Sequence, residues 1–120
     1  MSMTTPATSA ETSSRPFPLF SAGQIVATPG ALALLEQHGV SPQTILHRHL
    51  VGDWGALCSD DVAANEAALT HGSRLLSSYE IAPGVTVWII TDAESDIDEA
   101  GNALTTPQRL CTTILRPEDY

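Results

Sequence analysis

Lysine is missing altogether from this sequence, and its five arginines stand against fourteen acidic residues. The net charge of −9 repels polyanions, which disfavours general binding to nucleic acid or to an anionic membrane. It leaves room for an enzyme with a locally positive pocket. It also suits a basic partner surface, including the nucleic-acid groove of another protein. Aromatic residues are scarce, so much of the core must come from alanine and aliphatic side chains, with Trp54 and Trp88 as its large members. The two cysteines, Cys58 and Cys111, lie in different segments and form no C-x-x-C pair. That excludes the common redox motif, leaves too few ligands for zinc, and makes reduced thiols in a cytosolic protein the expectation. Long hydrophobic runs are absent too. The longest, Val85 to Ile90, is interrupted by Thr86 and falls far short of the roughly 18 residues that span a bilayer. The N-terminus carries no apolar signal-peptide core. These absences describe a cytoplasmic protein without membrane contact, and 120 residues are enough for one compact domain.

What is present divides cleanly along the chain. Residues 1–18 are rich in Ser, Thr, Ala and Pro without periodicity, which predicts a disordered leader before a single domain over 19–120. Phe17, Leu19 and Phe20 are candidates to pack where that domain begins, and Ile25-Val26 reads as a brief strand. Three helix starts follow. Thr28 and Ser41 are N-cap residues, each followed by a proline at the first helical position, and a third helix begins at Ser59 with Asp60 and Asp61 in its first turn. Gly39, the Gly52-Asp53-Trp54-Gly55 turn and Gly72 close the three helices. Beyond Gly72 the pattern becomes strand-like. Arg74 to Glu80 and Val85 to Thr91 flank a Pro83-Gly84 turn, and Arg109 to Arg116 reads as a further strand. The expectation is an α+β domain, with three N-terminal helices packed on a small antiparallel sheet of about three to four strands.

Between the last two strands, residues 92–108 form an acidic insertion, read as a solvated hairpin. Its carboxylates invite comparison with a calcium loop. An EF-hand needs Gly at position 6 and Glu at position 12. Counting from Asp92 those positions hold Ile97 and Ala103, and from Asp96 they hold Gly101 and Pro107, so both registers fail. His47 and His49 form an H-x-H pair, but residues two apart on a helix point in different directions and share a metal poorly. His38 and His71 sit near helix ends, where imidazoles contact exposed carbonyls. No metal and no cofactor is therefore expected.

His49 differs, because it lies on the apolar face of its helix. It reads either as a hydrogen-bonded core histidine or as a catalytic base. In the second case Arg74, Tyr79, Arg109 and Thr112, all on predicted strands with Thr113, complete a set suited to metal-independent RNA cleavage. There His49 would activate the 2′-oxygen, Arg74 or Arg109 would stabilise the phosphorane charge, and Thr112 or Tyr79 would orient a phosphate oxygen. The bland alternative is surface pairs on strands, each worth only a few tenths of a kcal/mol.

Several runs carry a resemblance. They are Ala27-Thr28-Pro29-Gly30-Ala31, Arg48-His49-Leu50-x-Gly52-Asp53-Trp54-Gly55, Asn65, the Arg74 to Tyr79 strand, Trp88-Ile89-Ile90-Thr91, and Thr112-Thr113-Ile114-Leu115-x-Pro117-Glu118-Asp119-Tyr120. Together they resemble a family of small proteins encoded on proteobacterial plasmids and integrative mobile elements, which has no established activity. The resemblance covers nearly all of 28–120. It implies a cytosolic accessory protein of mobile DNA, and it marks Asp53, Trp54, Asn65, Trp88, Thr113 and Tyr120 as structural or binding residues. In the family a shorter acidic link leads to an arginine matching Arg109; the link here is longer. The order of a helical His followed by strand Arg and Thr is similar in outline to barnase, colicin and toxin ribonucleases, at the level of fold analogy only.

The leading expectation is then an interaction protein that is not an enzyme. Its partner would be a host-defence or element-transfer component, met through the sheet and the acidic hairpin. A small metal-independent ribonuclease is the alternative. A DNA mimic fits less well, since the carboxylates gather in one loop and at helix starts rather than spreading over one face.

Overall fold

The computed structural model describes residues 15–120. Residues 1–14 of the expected leader lie outside the described residues. Residues 15–18 lie inside them, held against the domain by Arg15 N–H on the Val51 carbonyl at 2.9 Å.

The chain forms β1 (Gln24–Ala27), α1 (Pro29–Gln37), α2 (Pro42–Leu50), α3 (Ser59–His71), β2 (Leu75–Ala82), β3 (Val85–Thr91), β4 (Glu94–Ile97), β5 (Ala103–Arg109), β6 (Cys111–Leu115) and a final 3-10 turn, Pro117–Asp119. The helix starts follow from local chemistry. The Thr28 and Ser41 side chains accept from Ala31 N–H and Gln43 N–H, and each precedes a proline whose missing donor costs nothing in the first turn. Cys58 is the N-cap of α3 without a side-chain bond, so Asp60 and Asp61 supply the favourable charge there. Gly72 ends α3 at φ 77°, a conformation in which a side chain would be strained.

The α+β class is borne out, and one feature of the expected sheet is corrected. The main sheet has the order β1-β6-β3-β2 and is mixed, because β1 runs parallel to β6 while β2-β3 and β3-β6 are antiparallel. No local residue fixes the sense of a pairing between residues 24–27 and 111–114, and in the fold that sense follows from the path of the chain between them. The last strand is also shorter than expected. Arg109 closes β5, Leu110 leaves the ladder, and β6 begins at Cys111. Arg74 likewise stands just before β2 rather than in it. The acidic insertion is a two-stranded hairpin, β4-β5, forming its own sheet.

Strand alternation gives the main sheet two unlike faces. The inner face carries Leu75, Ser77 and Tyr79 on β2, Val87, Ile89 and Thr91 on β3, and Thr112 and Ile114 on β6, all buried. Ala31 and Leu35 of α1 and Ile45 of α2 join Tyr79, Val87, Ile89 and Ile114 in one core cluster. Trp54, Ala68 of α3 and Leu75 form a second. On the outer face the register aligns Ser78, Trp88 and Leu115 in one row, and Leu76, Ile90, Thr113 and Val26 in the next. Among the described residues no helix is long and apolar enough to cross a membrane.

Candidate functional site

Two constellations hold the residues singled out above. One is internal, and centres on His49. This side chain is fully buried, with Nδ1 2.6 Å from Ser77 Oγ and Nε2 2.9 Å from Thr91 Oγ1. Thr91 Oγ1 lies 2.7 Å from Thr112 Oγ1, which lies 2.8 Å from the Ala22 carbonyl. Proton counting fixes the donors from the Ala22 carbonyl back to His49 Nε2. A carbonyl only accepts, so Thr112 gives its single hydroxyl hydrogen to Ala22. Thr112 must then accept from Thr91, and Thr91 from the Nε2–H of His49; in the neutral ring that burial favours, Nδ1 accepts from Ser77. His49 is thus the neutral Nε2–H tautomer, with both nitrogens engaged. Burial, reinforced by the nearby Arg109 charge, pulls its pKa down to about 3. The rings of Phe20 and Trp54 enclose it at 5.2 and 5.8 Å.

The structure brings Arg109 to the same neighbourhood, with its guanidinium 5.7 Å from the Phe20 ring centre. Its donors face inward: Nη1 to the Ser73 and Asp92 carbonyls at 2.6 and 3.0 Å, and Nη2 to the Ala68 carbonyl at 3.0 Å. Arg109 thereby pins the hairpin to the end of α3 and the start of β2. A shallow cavity of about 230 Å³ opens beside it, lined by Phe20, Leu69 and Glu94 among others. Glu94 sets a negative charge in that cavity, which opposes a phosphate there.

Tyr79 does not join His49. Its hydroxyl donates to the Asp53 carbonyl at 2.6 Å, Arg48 lies over its ring at 4.6 Å, and burial pushes its phenol above the ordinary range. Arg48 in turn pairs with the Asp53 carboxylate at 2.7 Å, an interaction that raises the Arg48 pKa. Trp54, wholly buried, donates to Glu66 Oε2 at 2.9 Å, and Arg15 reaches Glu66 Oε1 at 2.7 Å. Burial works to raise the Glu66 pKa, and these two bonds outweigh it. Asn65 reads the backbone of β2, donating to the Leu76 carbonyl at 2.6 Å and accepting from Leu76 N–H at 3.1 Å. His49, Tyr79, Arg109, Thr112, Asp53, Trp54 and Asn65 therefore all act within the fold.

The second constellation is external. Trp88 is partly exposed on the outer face, and Tyr120, 69% exposed, packs edge-on against it with ring centres 5.8 Å apart. Arg74 donates to the Tyr120 hydroxyl at 2.8 Å. Among the described residues Arg74 is the one arginine bonded to neither a carboxylate nor a carbonyl. Thr113 lies one row further along the same face. The turn that presents Tyr120 is locked by Asp119, which accepts from Thr28 Oγ1 at 2.7 Å and from Arg116 Nη2 at 2.8 Å. The Arg116 bond, then that from Thr28, holds the Asp119 carboxyl far below the ordinary carboxylate range.

The hairpin leaves the sheet at the end where Arg74 sits, since Glu94 N–H bonds the Gly72 carbonyl at 2.8 Å. Among the described residues none of its carboxylates, at Asp92, Glu94, Asp96, Asp98 and Glu99, forms a salt bridge. Asp98 caps its own turn, accepting from the Ala100 and Asn102 amides.

Ser77 and Thr91 are the hydrogen-bond partners of His49, a pairing that the sequence does not single out. A signal for them exists. Each is a hydroxyl residue placed where a strand's alternation calls for an apolar one, in Leu75-x-Ser77-x-Tyr79 and Val87-x-Ile89-x-Thr91.

No protein-family model, no curated protein and no solved structure matches the chain.

Proposed function

We propose that this protein is a non-enzymatic interaction module, docking a protein partner on the outer face of its sheet around Trp88, Tyr120 and Arg74. The partner's surface is apolar at its centre and basic at its border, to meet the acidic hairpin. In the setting that the sequence resemblance implies, this is a cytosolic accessory protein of mobile DNA. Its partner is then a component of host defence or of element transfer.

One observation carries the reading: the residues able to do chemistry are spent on internal bonds, while a Trp, a Tyr and an Arg stand together on the outside. Those three residue types dominate the energetics of protein interfaces, because each offers a large contact area and a polar tip. The unpaired hairpin carboxylates add long-range attraction for a basic surface, screened beyond about 8 Å at physiological salt. The ribonuclease alternative draws little support from the site, where both His49 nitrogens are engaged and both Arg109 Nη atoms already donate to backbone carbonyls.

The test is affinity capture from a bacterial lysate with immobilised full-length protein, beside a folded Arg74→Glu/Tyr120→Ala variant. A specific partner held by the wild type, released by salt and lost in the variant is the expected result. Capture indifferent to the variant would contradict it. So would cleavage of total RNA in EDTA by the wild type that His49→Ala abolishes.

A further inference from the structure

The two edges of the main sheet are treated differently, and the difference points to a second use of the molecule. At the β2 edge the backbone is covered. Ser78 exchanges bonds with the 54–56 segment, Ala56 N–H to Ser78 O at 2.7 Å and Ser78 N–H to Trp54 O at 3.1 Å, and Asn65 takes both backbone groups of Leu76. At the β1 edge nothing comparable occurs among the described residues. The amides of Gln24 and Thr28 bond inward to the Leu110 and Ile114 carbonyls, each at 2.9 Å. By strand alternation the N–H and C=O of Ile25 and Ala27 point the other way, to the open side.

Natural edge strands are blunted by shortness, charge, proline, a bulge or a cover. Gln24-Ile25-Val26-Ala27 is short, at four residues, but carries none of the other devices, and its neighbour β6, Cys111–Leu115, holds no charged residue either. Ile25 and Val26 are 49% and 38% exposed, and Leu32 at the start of α1 is 45% exposed. Three of the six large hydrophobics exposed on the described surface thus fall within residues 25–32.

We propose that β1 pairs antiparallel with β1 of a second copy of this chain, joining the two four-stranded sheets across a two-fold axis at Val26. Antiparallel pairing about Val26 sets Ile25 opposite Ala27 of the other copy, so the open N–H and C=O groups of each residue meet their complements. The segment is self-complementary, as an isologous contact requires. Charge favours the same occupant. The chain is strongly acidic overall, but this edge and its neighbour are uncharged, so two copies meet here without placing carboxylates opposite one another. A foreign basic strand would find no charge on β1 to read. This contact uses the edge opposite the covered one and stands independently of the partner reading above.

Sedimentation equilibrium of the full chain over a wide concentration range tests it. The wild type is expected to show reversible association, with mass rising from 12.7 kDa toward twice that value. Val26→Lys sets like charges face to face on the axis and is expected to weaken association about tenfold or more, equivalent to about 1.4 kcal/mol. Val26→Glu should do the same, and mixing the two variants should restore a heterodimer, an outcome that requires Val26 to face Val26. Arg74→Glu/Tyr120→Ala should leave association unchanged, which separates this contact from partner docking. Circular dichroism checks that each variant is folded. A wild type that stays monomeric throughout, an association indifferent to Val26→Lys, or failure of the mixed variants to pair would each overturn the proposal. Slow amide exchange at Ile25 and Ala27 in a monomer would overturn it too, assigning the edge to the chain's own first residues.

Discussion

The inner and outer faces of one sheet carry polar residues in opposite ways. On the inner face Ser77, Thr91 and Thr112 are fully buried, and each hydrogen they own has a named acceptor. On the outer face Tyr120 touches both Trp88 and Arg74, and Tyr120 and Arg74 are exposed while Trp88 is partly so. A residue type alone does not distinguish a catalyst from a strut. Histidine, arginine, threonine and tyrosine form a plausible ribonuclease set in sequence, and in the fold most of them hold strands and helices together. Removing an interior member should therefore cost stability, and removing an outer one should cost binding.

Arg109 offers the largest expected break. Arg109→Met gives up three hydrogen bonds from a charged donor, one of them to the buried Ala68 carbonyl, and unpins the hairpin, at a cost of about 3 kcal/mol, since hydrogen bonds to charged groups contribute about 1.5–3 kcal/mol. Urea unfolding measures it. A loss under 1 kcal/mol would say that Arg109 is held for a ligand rather than for the fold. Asn65→Ala, which uncovers the backbone of Leu76, should cost about 2 kcal/mol by the same reasoning and the same measurement.

The His49 contribution is read through pH. Its folded pKa lies near 3, below the ordinary 6.5 that it regains on unfolding. The unfolded chain thus binds the extra proton between those values, and stability must fall as pH drops through that window. At one pKa unit per 1.36 kcal/mol, the loss between pH 7.5 and pH 5 attributable to His49 is about 2 kcal/mol. A His49→Gln variant, which cannot titrate, should show a shallower fall over the same range in parallel denaturation curves. Equal slopes would place an accessible, readily protonated imidazole in the core and break the contrast from the inside. The smallest expected stability change is on the outer face. Tyr120→Ala loses one exposed aromatic contact and the exposed bond from Arg74, and should cost less than about 1 kcal/mol, with little shift in melting temperature.

The same contrast explains what the sequence made legible. Helix starts were legible at Thr28-Pro29 and Ser41-Pro42 because a cap and a proline act within one turn. The β2-β3 hairpin was legible because Pro83-Gly84 marks its turn. The parallel pairing of β1 with β6 was not, since residues 24–27 and 111–114 carry no local mark of their relative direction. The β-branched run at 112–114 draws Arg109 into the last strand by sequence, and only the break at Leu110 sends it into the second sheet. His49 was correctly read as lying on an apolar helix face. The hydroxyl chain it joins runs over β2, β3 and β6, so choosing between a core role and a catalytic one needs three strands to be placed in space. Tyr120 stands out by resemblance alone, because a 3-10 turn folding this tyrosine onto Trp88 leaves no periodic signal.

Site-specific photo-crosslinking tests most directly the claim that this protein works through its outer face. A photoreactive phenylalanine analogue replaces Tyr120 in one preparation and the exposed Glu36 of α1 in another, each irradiated in native lysate. The account predicts a discrete protein adduct from position 120, suppressed by Arg74→Glu, and none from position 36. Adducts from position 36 with none from position 120 would contradict it.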